Sequence, residues 1–138
     1  MSRLFRGLLL VQLGVVLAGC ATSHTEQELN FTASALTKVS AAVDSTIRYT
    51  PFLKQATSAE LLALSTDHDP ALMAPFKNFK VLVRRVGPHS EVLVCEPDGS
   101  RGLLEDAGCT AKLDKHLWRD NPPALCQFTL DLEVLCKR

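Results

Sequence analysis

The stretch FKVLVRRVGPHSEVLVCE, Phe79 to Glu96, decides the fold. Phe79 to Val86 alternates in the manner of a half-buried strand, Gly87-Pro88-His89-Ser90 is turn chemistry, and Glu91 to Glu96 makes a returning strand. Pro97-Asp98-Gly99-Ser100 then supplies a second tight turn, and residues 101–106 a third, weaker strand. The three form an antiparallel meander with Cys95 at one end of the sheet and Cys109 at the other.

Further along, CQFTLDLEVLC from Cys126 to Cys136 alternates most cleanly of all. Phe128, Leu130, Leu132 and Val134 stand against Gln127, Thr129, Asp131 and Glu133. A half-buried fourth strand is the expectation. At about 3.3 Å per residue its two cysteines lie roughly 33 Å apart, whereas a disulfide needs Cα atoms within about 7 Å, so they do not bond to each other. Laid antiparallel beside either outer strand, this strand starts near Cys109 and finishes near Cys95, which predicts the bridges Cys109–Cys126 and Cys95–Cys136. Lys80 and Arg84 on the first strand are then expected to meet Asp131 and Glu133 on the last. Between Thr110, a cap, and the stop Asn121-Pro122-Pro123, Leu113 and Leu117 stand four apart, which predicts a short helix or turn carrying Trp118.

The first half of the domain has helical periodicity. Thr25 and Glu28 read as a capping box, and Leu29, Ala33, Leu36, Val39, Val43 and Ile47 recur at three- and four-residue steps up to Thr50-Pro51. A helix of about 24 residues, near 36 Å long, is expected to lie along the sheet and cover it. Thr57 and Glu60 open a second, shorter helix through Leu61, Leu62 and Leu64, and Asp69-Pro70 a third piece ending at Pro75. The fold class is α+β: N-terminal helices packed on an antiparallel sheet of about four strands, stapled by two disulfides.

Ahead of this domain, Arg3 and Arg6 precede an apolar run from Leu8 to Leu17 broken only by Gln12 and Gly14, and the run ends in Leu17-Ala18-Gly19-Cys20. That is the layout of an export signal, too short for a bilayer span, which takes about 20 residues. The tetrapeptide resembles the lipobox of bacterial lipoproteins. The resemblance implies that residues 1–19 are a signal peptide, that a diacylglyceryl group is placed on the thiol of Cys20, and that the new amino terminus is acylated. Residues 20–24 become a lipidated tether and 25–138 a single periplasm-facing domain. Two or three acyl chains make such attachment effectively permanent. In that family an aspartate after the cysteine commonly signals inner-membrane retention; here Ala21 follows, which points to the periplasmic face of the outer membrane. Setting Cys20 aside leaves Cys95, Cys109, Cys126 and Cys136, an even set for an oxidising envelope compartment.

Composition and motifs narrow the function further. Of 138 residues, 15 are basic and 15 acidic; loss of Arg3 and Arg6 with the signal leaves a slightly acidic domain, without the basic face a nucleic-acid binder needs. The cysteines lack the Cys-x-x-Cys spacing of structural zinc sites. Asp67-His68-Asp69 reads as a solvated loop, His89 as a turn residue, and His116 with Asp120 as a surface pair on one helical face. With no nucleophile elbow, phosphate-cradling loop or carboxylate pair in a cleft, the sequence gives no reason to expect an enzyme, a catalytic residue, a metal or a cofactor. The expected partners are the membrane, through the lipid, and an envelope protein. The chain is read as a non-enzymatic accessory or docking factor for an envelope complex, or alternatively as a periplasmic inhibitor or immunity lipoprotein that blocks a lytic enzyme. Trp118, the sole tryptophan, is the candidate partner-binding residue, or else a plug for one end of the core.

Overall fold

The computed structural model describes residues 24–50, 52–110 and 112–137. The signal segment and Cys20 lie outside the described residues. Within them, no helix is long and apolar enough to cross a membrane.

The first helix, α1, runs Glu26–Tyr49. The Thr25 hydroxyl accepts from the Glu28 amide at 3.1 Å, but the reciprocal half of a capping box is not formed, since the Glu28 carboxylate turns to His24. Leu29, Ala33, Leu36, Val39, Val43 and Ile47 are all buried, as their spacing dictates. After a 3-10 turn at Leu53–Gln55 comes α2, Ser58–Thr66, with a complete capping box between Thr57 and Glu60. A second 3-10 stretch, Pro70–Phe76, leads into the sheet.

Strands β1 (Lys80–Val86), β2 (His89–Cys95) and β3 (Gly102–Ala107) form the expected meander, and a two-residue β4 (Leu113–Asp114) completes the sheet in the order β1-β2-β3-β4, antiparallel throughout. The first turn is only Gly87-Pro88, with Gly87 at φ 59, so His89 and Ser90 belong to β2 and not to the turn. Helix α1 covers one face, against Val83, Val92, Val94 and Leu104. The opposite face packs Leu93 and Cys95 against Leu117, Ala124, Cys126 and Phe128. Burial from both sides explains why nearly every residue of β2 and β3 is buried and why residues 101–106 show so little alternation.

What covers that second face corrects the expectation for the C-terminus. Residues 126–136 are not a strand; the chain is irregular until a one-turn helix, α4, at Leu132–Leu135, capped by the Asp131 side chain. The buried Glu105 carboxylate in β3 explains the difference. It accepts from the Thr129 amide at 2.6 Å, the Thr129 hydroxyl at 2.7 Å and the Leu130 amide at 3.3 Å, so a side chain supplies the acceptors that a neighbouring strand would have offered. The segment crosses the sheet in the same direction as β3: Ala124 accepts from the Gly102 amide, Thr129 lies over Glu105, and Cys136 reaches the far end. A side chain at Gly102 would collide with Leu117 and the Leu125 carbonyl at 3.0 Å, so glycine permits this approach.

The bridges follow that direction and differ from the expected pairing. They are Cys95–Cys126 and Cys109–Cys136, each with Cα atoms 5.7 Å apart; Cys95–Cys136 and Cys109–Cys126 would require the antiparallel course that the segment does not take. Arg84 reaches the C-terminal segment, but through the Leu130 carbonyl at 3.1 Å and the Phe128 ring at 4.8 Å, not through Asp131 or Glu133. The short helix carrying Trp118 is present as α3, His116–Arg119. Leu113 belongs to β4 instead, and Thr110 caps no helix, its hydroxyl donating to the Ala107 and Lys112 carbonyls.

Candidate functional site

Three places concentrate exposed or chemically capable groups. The first is a groove of about 610 Å³ between the 3-10 turn after α1 and helix α2, lined by Phe52, Leu53, Gln55, Ala56, Glu60, Ala63, Leu64 and Asp67. Phe52 is 82% exposed and Leu64 49%, and Tyr49 at the close of α1 is 79% exposed. Water-facing apolar side chains that line one groove are a mark of interaction sites. The rim is rigid. Glu60 accepts from the Thr57 amide at 2.7 Å and the Thr57 hydroxyl at 2.8 Å, and these bonds hold its carboxyl below the ordinary value, the backbone bond contributing most. A fixed negative charge therefore stands beside the apolar floor, with Asp67 at the other end of α2.

The second place is a polar hollow of about 440 Å³ lined by Arg84, Val86 and residues 128–133. Its cation is already committed. Arg84 donates through Nε and Nη2 to Glu91 and through Nη2 to Leu130. Glu91 is fully buried, and burial, then the hydrogen bonding and charge of neighbouring Glu105, pushes its carboxyl up to about 8 against the pull of Arg84. The Arg84-Glu91-Glu105-Thr129 network holds the C-terminal segment onto the sheet. Sequence reasoning missed it, although Glu91 beside Val92-Leu93-Val94 and Glu105 after Leu103-Leu104 were a visible signal.

At the third place, His89 of β2 lies beside the Cys109–Cys136 bridge, the ligand atoms of all three residues being within 4.8 Å of one another. Asp44 of α1 approaches from above, 4.0 Å from His89 Nδ1. Nearby, burial pushes the Asp106 carboxyl up to about 7, against a smaller opposing pull from the Ser40 hydroxyl.

The residues singled out in the sequence fall elsewhere. Cys20 is outside the described residues. Trp118 is half-buried against the main core, its ring 5.0 Å from that of His24, and its carbonyl accepts from Arg101 at 2.9 Å. His24, assigned above to the tether, is part of the fold: besides Trp118 it contacts Phe79, and it bonds Glu96 at 3.2 Å. Asp67, His68 and Asp69 are exposed and form no ligand cluster. His116 pairs with Asp114 and with the Thr129 hydroxyl, not with Asp120.

No family model matches the chain, and no curated protein or solved structure is significantly similar to it. The reading of function rests on the molecule alone.

Proposed function

We propose that this chain is a lipid-anchored envelope protein that acts as a docking factor, holding an apolar segment of an envelope partner in the groove between Phe52 and Leu64. The observation that carries the reading is that Phe52 and Leu64, both on water, line one groove, with exposed Tyr49 three residues before Phe52 in the chain. The position of the groove matters. Cys20 precedes the folded His24 by four residues, a reach of about 14 Å, so the lipid enters at the His24-Trp118 end. The groove lies at the other end of α1, whose 24 residues span about 36 Å. An apolar surface held away from the anchor is available to a protein. The acidic groups Glu60 and Asp67 on its rim favour a segment whose apolar face is flanked by lysine or arginine.

Trp118 is not needed in this surface, because its packing against the core and His24 accounts for it. Paired substitution tests the proposal. Phe52→Ser with Leu64→Ser leaves the fold intact, since both side chains face water, and abolishes recovery of the crosslinked partner from cells; Cys20→Ser separately frees the protein from membranes. Undiminished recovery with both groove residues changed would place the binding surface elsewhere, and a hydrolase or toxin as the captured protein would favour the inhibitor reading.

A further inference from the structure

The ladder pairs Glu91 with Ala107, and the Gly108 amide donates to the Ser90 carbonyl at 2.9 Å, which sets His89 opposite Cys109. Disulfide formation brings Cys136 to the same point. The position opposite admits α1 closely: a side chain at Gly108 would meet Asp44 Cβ at 2.6 Å, so glycine lets Asp44 descend toward His89. Asp44 Oδ2 is held by Arg48 at 2.6 Å. Its other oxygen, Oδ1, and His89 Nδ1 are both buried and neither has a hydrogen-bond partner, although they face each other at 4.0 Å. Buried polar atoms are seldom left so. His89 stands beside two sulfurs, with the Asp44 carboxylate behind its ring, and imidazole with two thiols makes a donor set.

We propose that Cys109, Cys136 and His89, with Asp44 orienting the imidazole, form a redox-gated site for a soft divalent cation of the zinc type, closed while the Cys109–Cys136 bridge stands and opened by a dithiol reductant. A thiolate of the dithiol attacks one sulfur to give a mixed disulfide. The second thiol of the reductant then closes its own ring and releases the other protein sulfur. Two electrons pass from the dithiol to the bridge, the dithiol leaves as a cyclic disulfide, and Cys109 and Cys136 become thiols. A divalent cation then displaces their two protons and binds two thiolates and the imidazole, a fourth position being left to water, while the Asp44 carboxylate accepts from the other ring nitrogen and orients it. Ligand atoms about 2.0 to 2.3 Å from a tetrahedral zinc lie roughly 3.2 to 3.8 Å from one another, so the donors, already within 4.8 Å in the case of the histidine and the cysteines, need only a small adjustment. Arg48 offsets the remaining negative charge. The other bridge has no such neighbours among the described residues, and Cys95 is fully buried, whereas Cys109 and Cys136 are half-exposed and meet a reductant first.

The test uses the mature chain carrying Cys20→Ser, reduced with dithiothreitol, freed of it without oxygen, and titrated with Co²⁺ as a spectroscopic substitute for Zn²⁺. The expected result is a sulfur-to-cobalt charge-transfer band that saturates at one equivalent and is displaced by Zn²⁺. Alkylation mapping should show Zn²⁺ protecting Cys109 and Cys136 while Cys95 and Cys126 remain bridged. The oxidised chain gives no band, and His89→Gln or Asp44→Asn weakens binding at least about tenfold. Circular dichroism of each reduced sample checks that it is folded; should a variant unfold, the wild-type comparison of oxidised with reduced chain and the protection map decide. Absence of the band from folded reduced protein, equal binding by the oxidised chain, protection of Cys95 and Cys126 instead, or unchanged affinity in folded His89→Gln would each overturn the proposal.

Discussion

Glu105→Ala removes the carboxylate that accepts from the middle of the C-terminal segment, and its cost can be worked from the geometry. Glu105 is fully buried and accepts two backbone amides, Thr129 at 2.6 Å and Leu130 at 3.3 Å, besides the Thr129 hydroxyl at 2.7 Å. Bonds to a charged acceptor contribute about 1.5 to 3 kcal/mol each. The hydroxyl belongs to an exposed residue and can turn to water, and the longer Leu130 contact lies at the weak end of the range. The net loss is therefore about 3 kcal/mol, which for a domain of this size lowers the melting temperature by roughly 10 °C. The two bridges still tie residues 126 and 136 to the sheet, so the damage is an opening of the span between them. Hydrogen exchange at the Thr129 and Leu130 amides should accelerate about 100-fold or more, and Glu105→Gln, which keeps an acceptor oxygen, should lose less. If Glu105→Ala melts within about 2 °C of wild type and the two amides exchange at unchanged rates, the bridges alone hold the segment and the role given to this carboxylate is wrong.

Glu91 predicts a pH dependence. In the folded chain its carboxyl is pushed up to about 8 from an ordinary 4.5, so between these values the unfolded chain has released a proton that the folded chain keeps. Stability from this group is full below about pH 4.5 and falls by up to about 1.4 kcal/mol per unit as pH rises toward 8; urea unfolding from pH 5 to 8 should show Glu91→Gln with a flatter profile, and parallel profiles would refute the assignment. Trp118→Ala should cost about 2 to 4 kcal/mol, read as a drop in melting temperature, and an unchanged melting temperature would return Trp118 to the list of interaction residues. Cys20→Ser should move the protein from the membrane fraction to the soluble fraction with loss of lipid labelling; a variant still acylated in the membrane would remove the anchor from the proposal.

The helices and the meander could be read from the sequence because each has a periodicity of its own. Leu29 through Ile47 repeats at helical steps whatever it packs on, and Val81, Val83, Val92 and Val94 alternate because α1 lies on one side only of those positions. The C-terminal segment misled for a physical reason. Phe128, Leu130 and Leu132 alternate with polar residues because a coil pressed on a sheet also has an inside and an outside, and period 2 does not distinguish coil from strand. What decides between them is Glu105, 24 residues earlier than Thr129, whose carboxylate substitutes for a backbone ladder. The disulfide pairing depended on the direction of that segment and changed with it. At the candidate groove, Thr57 and Glu60 were legible as a capping box, but the exposure of Phe52 and Tyr49 was not, since an aromatic residue in the sequence carries no label saying which side of the fold it occupies. His89 escaped for a smaller reason: a turn two residues shorter than expected moved it onto a strand beside Cys109.

The central claim is that the Tyr49-Phe52-Leu64 end of the domain binds a protein while the chain is anchored through Cys20, and photo-crosslinking in intact cells tests it most directly. A photoreactive residue is placed in turn at positions 49, 52 and 64, and at Lys137 and Asp98 as exposed controls. The account predicts a discrete protein adduct from 52 and 64, absent from the controls, with an apolar segment flanked by basic residues at the mapped junction. Lipid adducts from 52 and 64, or the same adducts from all five positions, would contradict it.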